Sequence, residues 1–223
     1  MKVKDRMTPK PITTSLDMSV GELWRIMKKK NLNRMPVMDR GYLVGMVTRR
    51  DIGSRSDINL RKSAITTRHL SKEKLEEELY RVKVREIIPE GQQLITIYQD
   101  AYIEQAARIL RDNKISGLPV VDDNSNLIGI ITQTDISDAF LEILGINLPG
   151  TRISLRIEGK PEELIILGKI LSTHGAEVKN IVSMEVIGEA YLMILRIIHP
   201  ESRMIVDELK AAGFKVESTI VKP

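Results

Sequence analysis

Two short segments of this 223-residue chain place a hydroxyl and a carboxylate three residues apart at the end of an apolar run. They are Gly45-Met46-Val47-Thr48-Arg49-Arg50-Asp51-Ile52 and Gly129-Ile130-Ile131-Thr132-Gln133-Thr134-Asp135-Ile136. An apolar run ending in Thr reads as a strand, and the Asp stands near the start of a helix. A hydroxyl and the N–H groups of a helix start can hold an anion such as phosphate. A carboxylate three residues further on can accept two hydrogen bonds from a vicinal diol, as an acid does for a ribose in dinucleotide sites. Spacing alone favours a plainer reading, in which Thr48, Asp51, Thr132 and Asp135 only cap helices.

Other chemistry finds little support. With no Cys there is no disulfide, thiolate zinc site or Cys nucleophile. His69, His174 and His199 fall in different elements, and none has a metal-ligand spacing. Neither a G-x-S-x-G elbow nor a G-x-x-x-x-G-K-[ST] phosphate loop is present. A non-enzymatic protein is expected, without a metal or a catalytic cofactor. A net charge of +4 and a 4% aromatic share argue against nucleic acid as a partner. The 42% hydrophobic and 29% charged residues suit a globular chain rather than a disordered one. No apolar run reaches bilayer length, and no apolar stretch follows the first residues, so neither a membrane span nor a secretory signal is expected. The expected location is cytoplasmic.

The elements that position these residues come as a repeat. Asn33-Arg34-Met35-Pro36-Val37-Met38-Asp39 is echoed by Ser116-Gly117-Leu118-Pro119-Val120-Val121-Asp122, and Val3-Lys4-Asp5-Arg6-Met7 by Val84-Arg85-Glu86-Ile87-Ile88. The period of about 80 residues is too long for a solenoid unit. Each copy reads β-α-β-β-α. In the first, Ser19 and Glu22 have capping-box spacing, and Val20, Leu23, Trp24 and Met27 share a helix face. In the second, Asp100 can cap, and Ile103, Ala106, Ala107 and Leu110 take the same places. Pro36 and Pro119 restrict their runs to an edge strand or to the first residues of a strand. Asp135 begins another helix, with Ile136, Ala139, Phe140 and Ile143 at helical spacing. Between the copies a basic stretch (Arg55, Arg61, Lys62, Arg68) leads to a helix that Ser71 can cap, carrying Leu70, Leu75 and Leu79. It reads as a surface linker with a packed helix.

Leu148-Pro149-Gly150 marks a break, beyond which the repeat stops. Ile153, Leu155 and Ile157 alternate as in a strand. Pro161 starts a helix whose face is Leu164, Leu167, Gly168 and Leu171. Two strands follow, over 176–182 and 190–198. A helix opening at Pro200-Glu201-Ser202 ends at Gly213, and Phe214, Val216, Ser218 and Ile220 alternate in a last strand. The order β-α-β-β-α-β is ferredoxin-like, and the whole chain is of the α+β class. About 70 residues make a small core, so oligomerisation or docking is plausible for this part.

The duplicated h-P-V and G-h-h-T-x-x-D pattern resembles that of cystathionine-β-synthase (CBS) domains, which occur in pairs called Bateman modules. The resemblance implies one module over 1–60, a linker with a helix over 61–82 and a second module over 83–147. It further implies two clefts for an adenosine derivative: AMP, ADP, ATP, S-adenosylmethionine, NAD or cyclic di-AMP. By position, Asp51 and Asp135 would hold ribose hydroxyls, with Thr48 and Thr132 nearest ribose or phosphate. Adenine would lie against backbone near Ile12-Thr13, Arg34-Met35-Pro36, Ile95-Thr96 and Gly117-Leu118-Pro119. Arg49 and Arg50 would make one cleft more basic than the other, which has Gln133 and Thr134. Residues 151–223 resemble an ACT domain, although Glu162 stands where that family's turn has glycine. A CBS pair followed by an ACT domain is similar to acetoin-utilisation proteins of the AcuB type. The partners this implies are an adenosine-containing small molecule, a second copy in a homodimer and an unidentified target protein. The alternative is a ligand-free assembly module.

Overall fold

Ser19 starts the first helix as its spacing predicts: its side-chain oxygen accepts the Glu22 N–H at 3.2 Å. In this computed structural model, residues 1–52, 72–88, 92–186 and 190–222 are described. They fall in two compact units, Met1–Ile136 and Ser137–Pro223. The expectations placed on Arg55, Arg61, Lys62, Arg68, His69, Leu70 and Ser71 lie outside the described residues.

The first unit opens with a 3-10 turn, Val3–Asp5, then β1 (Thr8–Pro9), β2 (Thr14–Ser15), α1 (Val20–Lys29), β3 (Arg34–Asp39) and β4 (Tyr42–Thr48). Residues 49–52 are helical. Next come α2 (Lys72–Arg81), a helical turn α3 (Val84–Ile87), β5 (Ile97–Tyr98), α4 (Ile103–Asp112), β6 (Gly117–Val121), β7 (Leu127–Thr132) and α5 (Gln133–Ile143). The two sheets run β2-β3-β4 and β1-β7-β6-β5. Apolar residues at helical spacing bury one face of each long helix: Val20, Leu23 and Met27 in α1, Ile103, Ala106 and Leu110 in α4. Trp24 lies at the margin of its face, with the Arg49 guanidinium 5.9 Å from its ring centroid. In α5, Ile136 and Ala139 are buried, whereas Phe140 and Ile143 are substantially exposed.

The two copies exchange their first segments. Val3 and Lys4 donate their backbone N–H groups to Ala101 and Gln99 of the second copy, at 2.8 and 2.9 Å. Val84 and Arg85 donate theirs to Met18 and Leu16 of the first, at 3.0 and 3.1 Å. Ion pairs repeat the exchange. Lys2 and Lys4 hold Asp100 at 2.9 and 2.8 Å, and Arg85 holds Asp17. Asp100 is therefore a clasp and not the cap expected of it. Tyr102 is the N-cap residue of α4, and the Gln105 side chain accepts its N–H at 3.0 Å. Strand β1 pairs antiparallel with β7, so the start of the chain completes the second sheet.

The two strand prolines are a second correction. Pro36 and Pro119 lie inside β3 and β6, which occupy interior positions in their sheets. Pro36 stands opposite Met46, whose N–H and C=O turn outward to the Gln92 side chain at 3.0 and 3.1 Å. The pair is therefore a non-hydrogen-bonded one, and the missing proline N–H falls on the side toward β2. There β2 reaches only Val37 and Met38, so no ladder bond is lost.

The second unit continues with β8 (Gly150–Ile157), α6 (Pro161–Thr173), β9 (Glu177–Val186), β10 (Ala190–Ile198), α7 (Ser202–Ala211) and β11 (Lys215–Lys222). Its antiparallel sheet has the order β11-β8-β10-β9. This is the β-α-β-β-α-β arrangement expected. The core joins Ile153, Leu155, Leu195 and Ile197 to Leu167 and Leu171 of α6 and Ile205 and Leu209 of α7. Two details differ from expectation. The buried face of α6 is Leu167, Ile170 and Leu171, whereas Leu164 is 53% exposed and Gly168 has open space before it. In β11 the alternation breaks at Glu217, an extra residue between Val216, opposite Leu155, and Ser218, opposite Ser154. This bulge sends Val216 to the core and Ser218 and Ile220 to the other face.

Candidate functional site

The two G-h-h-T-x-x-D segments fold into the same hydrogen-bonded knot. The Thr48 N–H and hydroxyl both donate to Asp51 Oδ2, at 2.8 and 2.7 Å, and the Asp51 N–H donates to Thr48 Oγ1 at 3.3 Å. In the second copy Thr132 donates to Asp135 Oδ2 at 2.7 Å from each group, and the Asp135 N–H returns to Thr132 Oγ1 at 3.4 Å. Both carboxylates thus close the strand-to-helix corner. They do so through one oxygen, Oδ2, and both residues remain partly exposed. The geometry serves a cap, and it also orients a charged acceptor beside the threonine.

Each knot lies at a cleft. The first cleft, about 620 Å³, is lined by Thr48, Arg49 and Arg50 from the first copy and by Ile95, Gly117 and Pro119 from the second. The second, about 350 Å³, reverses the roles: Thr132, Gln133 and Thr134 face Ile12 and Pro36. Both volumes are in the range of small-molecule sites. Arg34 lines both clefts. Asp51 and Asp135 are bonded to the lining threonines, and neither is among the lining residues itself. The side chains of Met35 and Leu118 are fully buried, so only their backbone is available to a ligand. Thr13 is exposed and Thr96 half-buried; neither lines a cleft.

Arg49 lines the first cleft and is also tied to backbone. Its Nε donates to Leu32 O at 2.8 Å and its Nη2 to Met27 O at 3.2 Å, which ties the end of α1 to the start of β4's helix. Gln133 occupies the equivalent place and donates to Ile115 O at 3.3 Å. The first cleft still has the more cationic lining, because it includes Lys114 and Arg50, whereas the second has Lys10 beside Asn31. Asn31 and Lys114 are matching residues just beyond α1 and α4, both left-handed with φ of 52°. Sequence reading passed over Gln92, Asn33, Ser116 and Lys114. The repeat offset, which places Lys114 on Asn31, was the available signal.

Among the described residues, no group of three or more His, Cys, Asp or Glu side chains could hold a metal ion. Nor is any helix among them long and apolar enough to cross a membrane.

Comparison with known proteins identifies the family of the repeated part of the chain. A family model for the CBS domain matches residues 3–54 and 84–142. The uncharacterized protein MJ1426 of Methanocaldococcus jannaschii is 31% identical over 159 residues, 63% of this chain and 92% of that protein. The chain spans only 45% and 23% of two longer relatives from the same organism, the second of which is L-aspartate semialdehyde sulfurtransferase. Among solved structures, CBSX2 of Arabidopsis thaliana in complex with AMP is 28% identical, with a TM-score of 0.50 over 64% of this chain and 97% of that one. A putative acetoin utilization protein (AcuB) from Vibrio cholerae has the same TM-score, 0.50, over 66% of this chain and 95% of that one. At 22% identity it shows a shared fold.

Proposed function

This chain belongs to the CBS-domain family, and we propose that it is a non-enzymatic sensor that binds an adenosine derivative in its two clefts. The carrying observation is the duplicated Thr/Asp knot at each cleft, which an assembly module alone does not need. The AMP complex of CBSX2 supports the ligand class. In this reading Asp51 and Asp135 present their outer oxygen to ribose hydroxyls, while Oδ2 stays on threonine. Thr48 and Thr132 then lie nearest ribose or phosphate. Adenine lies against the backbone at Ile12-Thr13 and Arg34-Met35-Pro36, and at Ile95-Thr96 and Gly117-Leu118-Pro119. The clefts are unequal, with phosphate favoured in the first by Arg50 and Lys114.

The β-α-β-β-α-β unit is read as an ACT-like domain that pairs two copies of the chain or relays ligand binding to a target protein. Domain limits of 1–60, 83–147 and 151–223 go with this reading, as do a cytoplasmic location and an AcuB-like role in acetoin metabolism. The test is a thermal-shift panel on nucleotide-stripped protein with AMP, ADP, ATP, S-adenosylmethionine, NAD and cyclic di-AMP. A ligand at about 100 times its Kd adds roughly 2.7 kcal/mol of stability. A response abolished by Asp51→Ala with Asp135→Ala supports the sensor. A flat panel with an obligate dimer leaves a ligand-free assembly protein.

A further inference from the structure

Arg34 breaks the symmetry of the repeat at the most consequential position. Counting from the matched prolines, its counterpart in the second copy is Gly117. The two residues meet across the boundary between the copies. A Cβ at 117 would collide with the Arg34 guanidinium and lie 2.6 Å from its Cδ, so the arginine stem passes directly over the glycine backbone. There Arg34, with Asn33, Ser116 and Gln133, forms a wall common to both clefts. Arg34 is half-buried. Burial lowers its pKa from the ordinary arginine value, and the charge of Asp135 acts in the opposite direction. A partly desolvated guanidinium of this kind forms strong, charge-assisted bonds to a phosphate.

We propose that Arg34 couples the two clefts, so that a phosphorylated ligand in the first weakens the binding of a phosphorylated ligand in the second. This rests on the reading of the clefts as adenylate sites. A single guanidinium carries one charge, and once paired with a phosphate on one side it attracts a second phosphate less. The first cleft is the larger and has Arg50 and Lys114 to draw the phosphate in, so it engages Arg34 first. The second cleft then loses a cation, and its Asp135 loses a nearby positive charge. An anion entering there meets a more negative site than it would with the first cleft empty. A neutral adenosine does not need the guanidinium and escapes the penalty.

The experiment is isothermal titration calorimetry of the full chain with AMP and with adenosine. In the unaltered protein, the two AMP dissociation constants should differ by about tenfold more than the two adenosine constants, the scale of one charge-assisted bond. Asp51→Ala, which disables the first cleft, should tighten AMP binding at the second by about tenfold relative to the second step of the unaltered protein. Arg34→Gln should remove that gain, and Arg34→Lys should retain part of it. Equal spacing of the AMP and adenosine constants, or second-cleft affinity indifferent to the state of the first, overturns the coupling and leaves the sensor reading intact. Failure of both ligands to bind overturns both.

Discussion

The substitution Asp135→Asn separates a cap from a ligand site, because the two roles ask different things of the same side chain. As a cap, the residue must accept hydrogen bonds from the Thr132 N–H and hydroxyl, both made to Oδ2 at 2.7 Å. Asp135 is the third residue of α5 and the reciprocal partner of Thr132 in a capping box, and an asparagine oxygen can accept the same two bonds there. The stability cost of Asp135→Asn should then be about 1 kcal/mol, for the charge lost from the first turn, against about 1–3 kcal/mol for Asp135→Ala, which leaves both bonds unmade. As a ribose acceptor, however, the asparagine presents Nδ2 where the carboxylate had Oδ1. That group donates and carries no charge. A hydrogen bond to a charged group contributes about 1.5–3 kcal/mol, and a neutral one about 0.5–1.5 kcal/mol. The loss is therefore about 1–2 kcal/mol, or roughly 5- to 30-fold in affinity at the second cleft. Urea melts give the first quantity and calorimetry with adenosine gives the second. Adenosine affinity within twofold of the unaltered protein would show that Asp135 is only a cap.

Three further outcomes test the fold of the two units. Gly21→Ala should destabilise the packing of α2 on α1 by about 1–3 kcal/mol, since a Cβ there would lie 2.8 Å from the Tyr80 ring, and Tyr80→Ala should relieve most of the cost. Leu155→Ala should cost about 2–5 kcal/mol in a urea melt, whereas Leu164→Ala, on the exposed side of α6, should stay within about 0.5 kcal/mol. Lys4 and then Lys2 hold folded Asp100 at about 2, below its ordinary 3.8, so its clasp stabilises the fold above about pH 4 and is lost as the pH falls from 4 toward 2. The stability difference between the unaltered protein and Asp100→Asn should therefore be present at neutral pH and vanish by about pH 2, as followed by urea melts across that range.

Internal repetition made much of the first unit readable. Matching Pro36 to Pro119 and Thr48 to Thr132 picked out both Thr/Asp corners, whereas the clefts beside them followed only from the family resemblance. Periodicity likewise found the buried faces of α1 and α4. It failed where a side chain's partner comes from elsewhere in the chain. Asp100 looks like a cap from its neighbours alone, but its partners are Lys2 and Lys4, nearly a hundred residues away. Arg49 lines the first cleft as its position in the motif suggests, but its bonds to two carbonyls at the end of α1 and beyond it could not be read from the motif. Pro36 argues for an edge strand until the short reach of β2 explains how an interior strand tolerates it. The bulge at Glu217 inverts a face through one inserted residue, and strict alternation carries no warning of it.

The exchanged first segments bear directly on how a ligand could be sensed. Each copy closes part of the other: β1 extends the second sheet, and Gln92 caps the outer edge of β4 in the first. Neither cleft is consequently the property of one copy. Thr48 faces Ile95 and Gly117, and Thr132 faces Ile12 and Pro36, in each case across the boundary. Because the walls are shared, a shift of one copy against the other would alter both clefts. A ligand favours whichever arrangement it binds more tightly, and only by the difference between the two affinities. The wall residue Arg34 adds charge to this shared geometry. In the proposed coupling the copies respond jointly because they share walls, and unequally because the guanidinium of Arg34 in that wall has glycine for a counterpart.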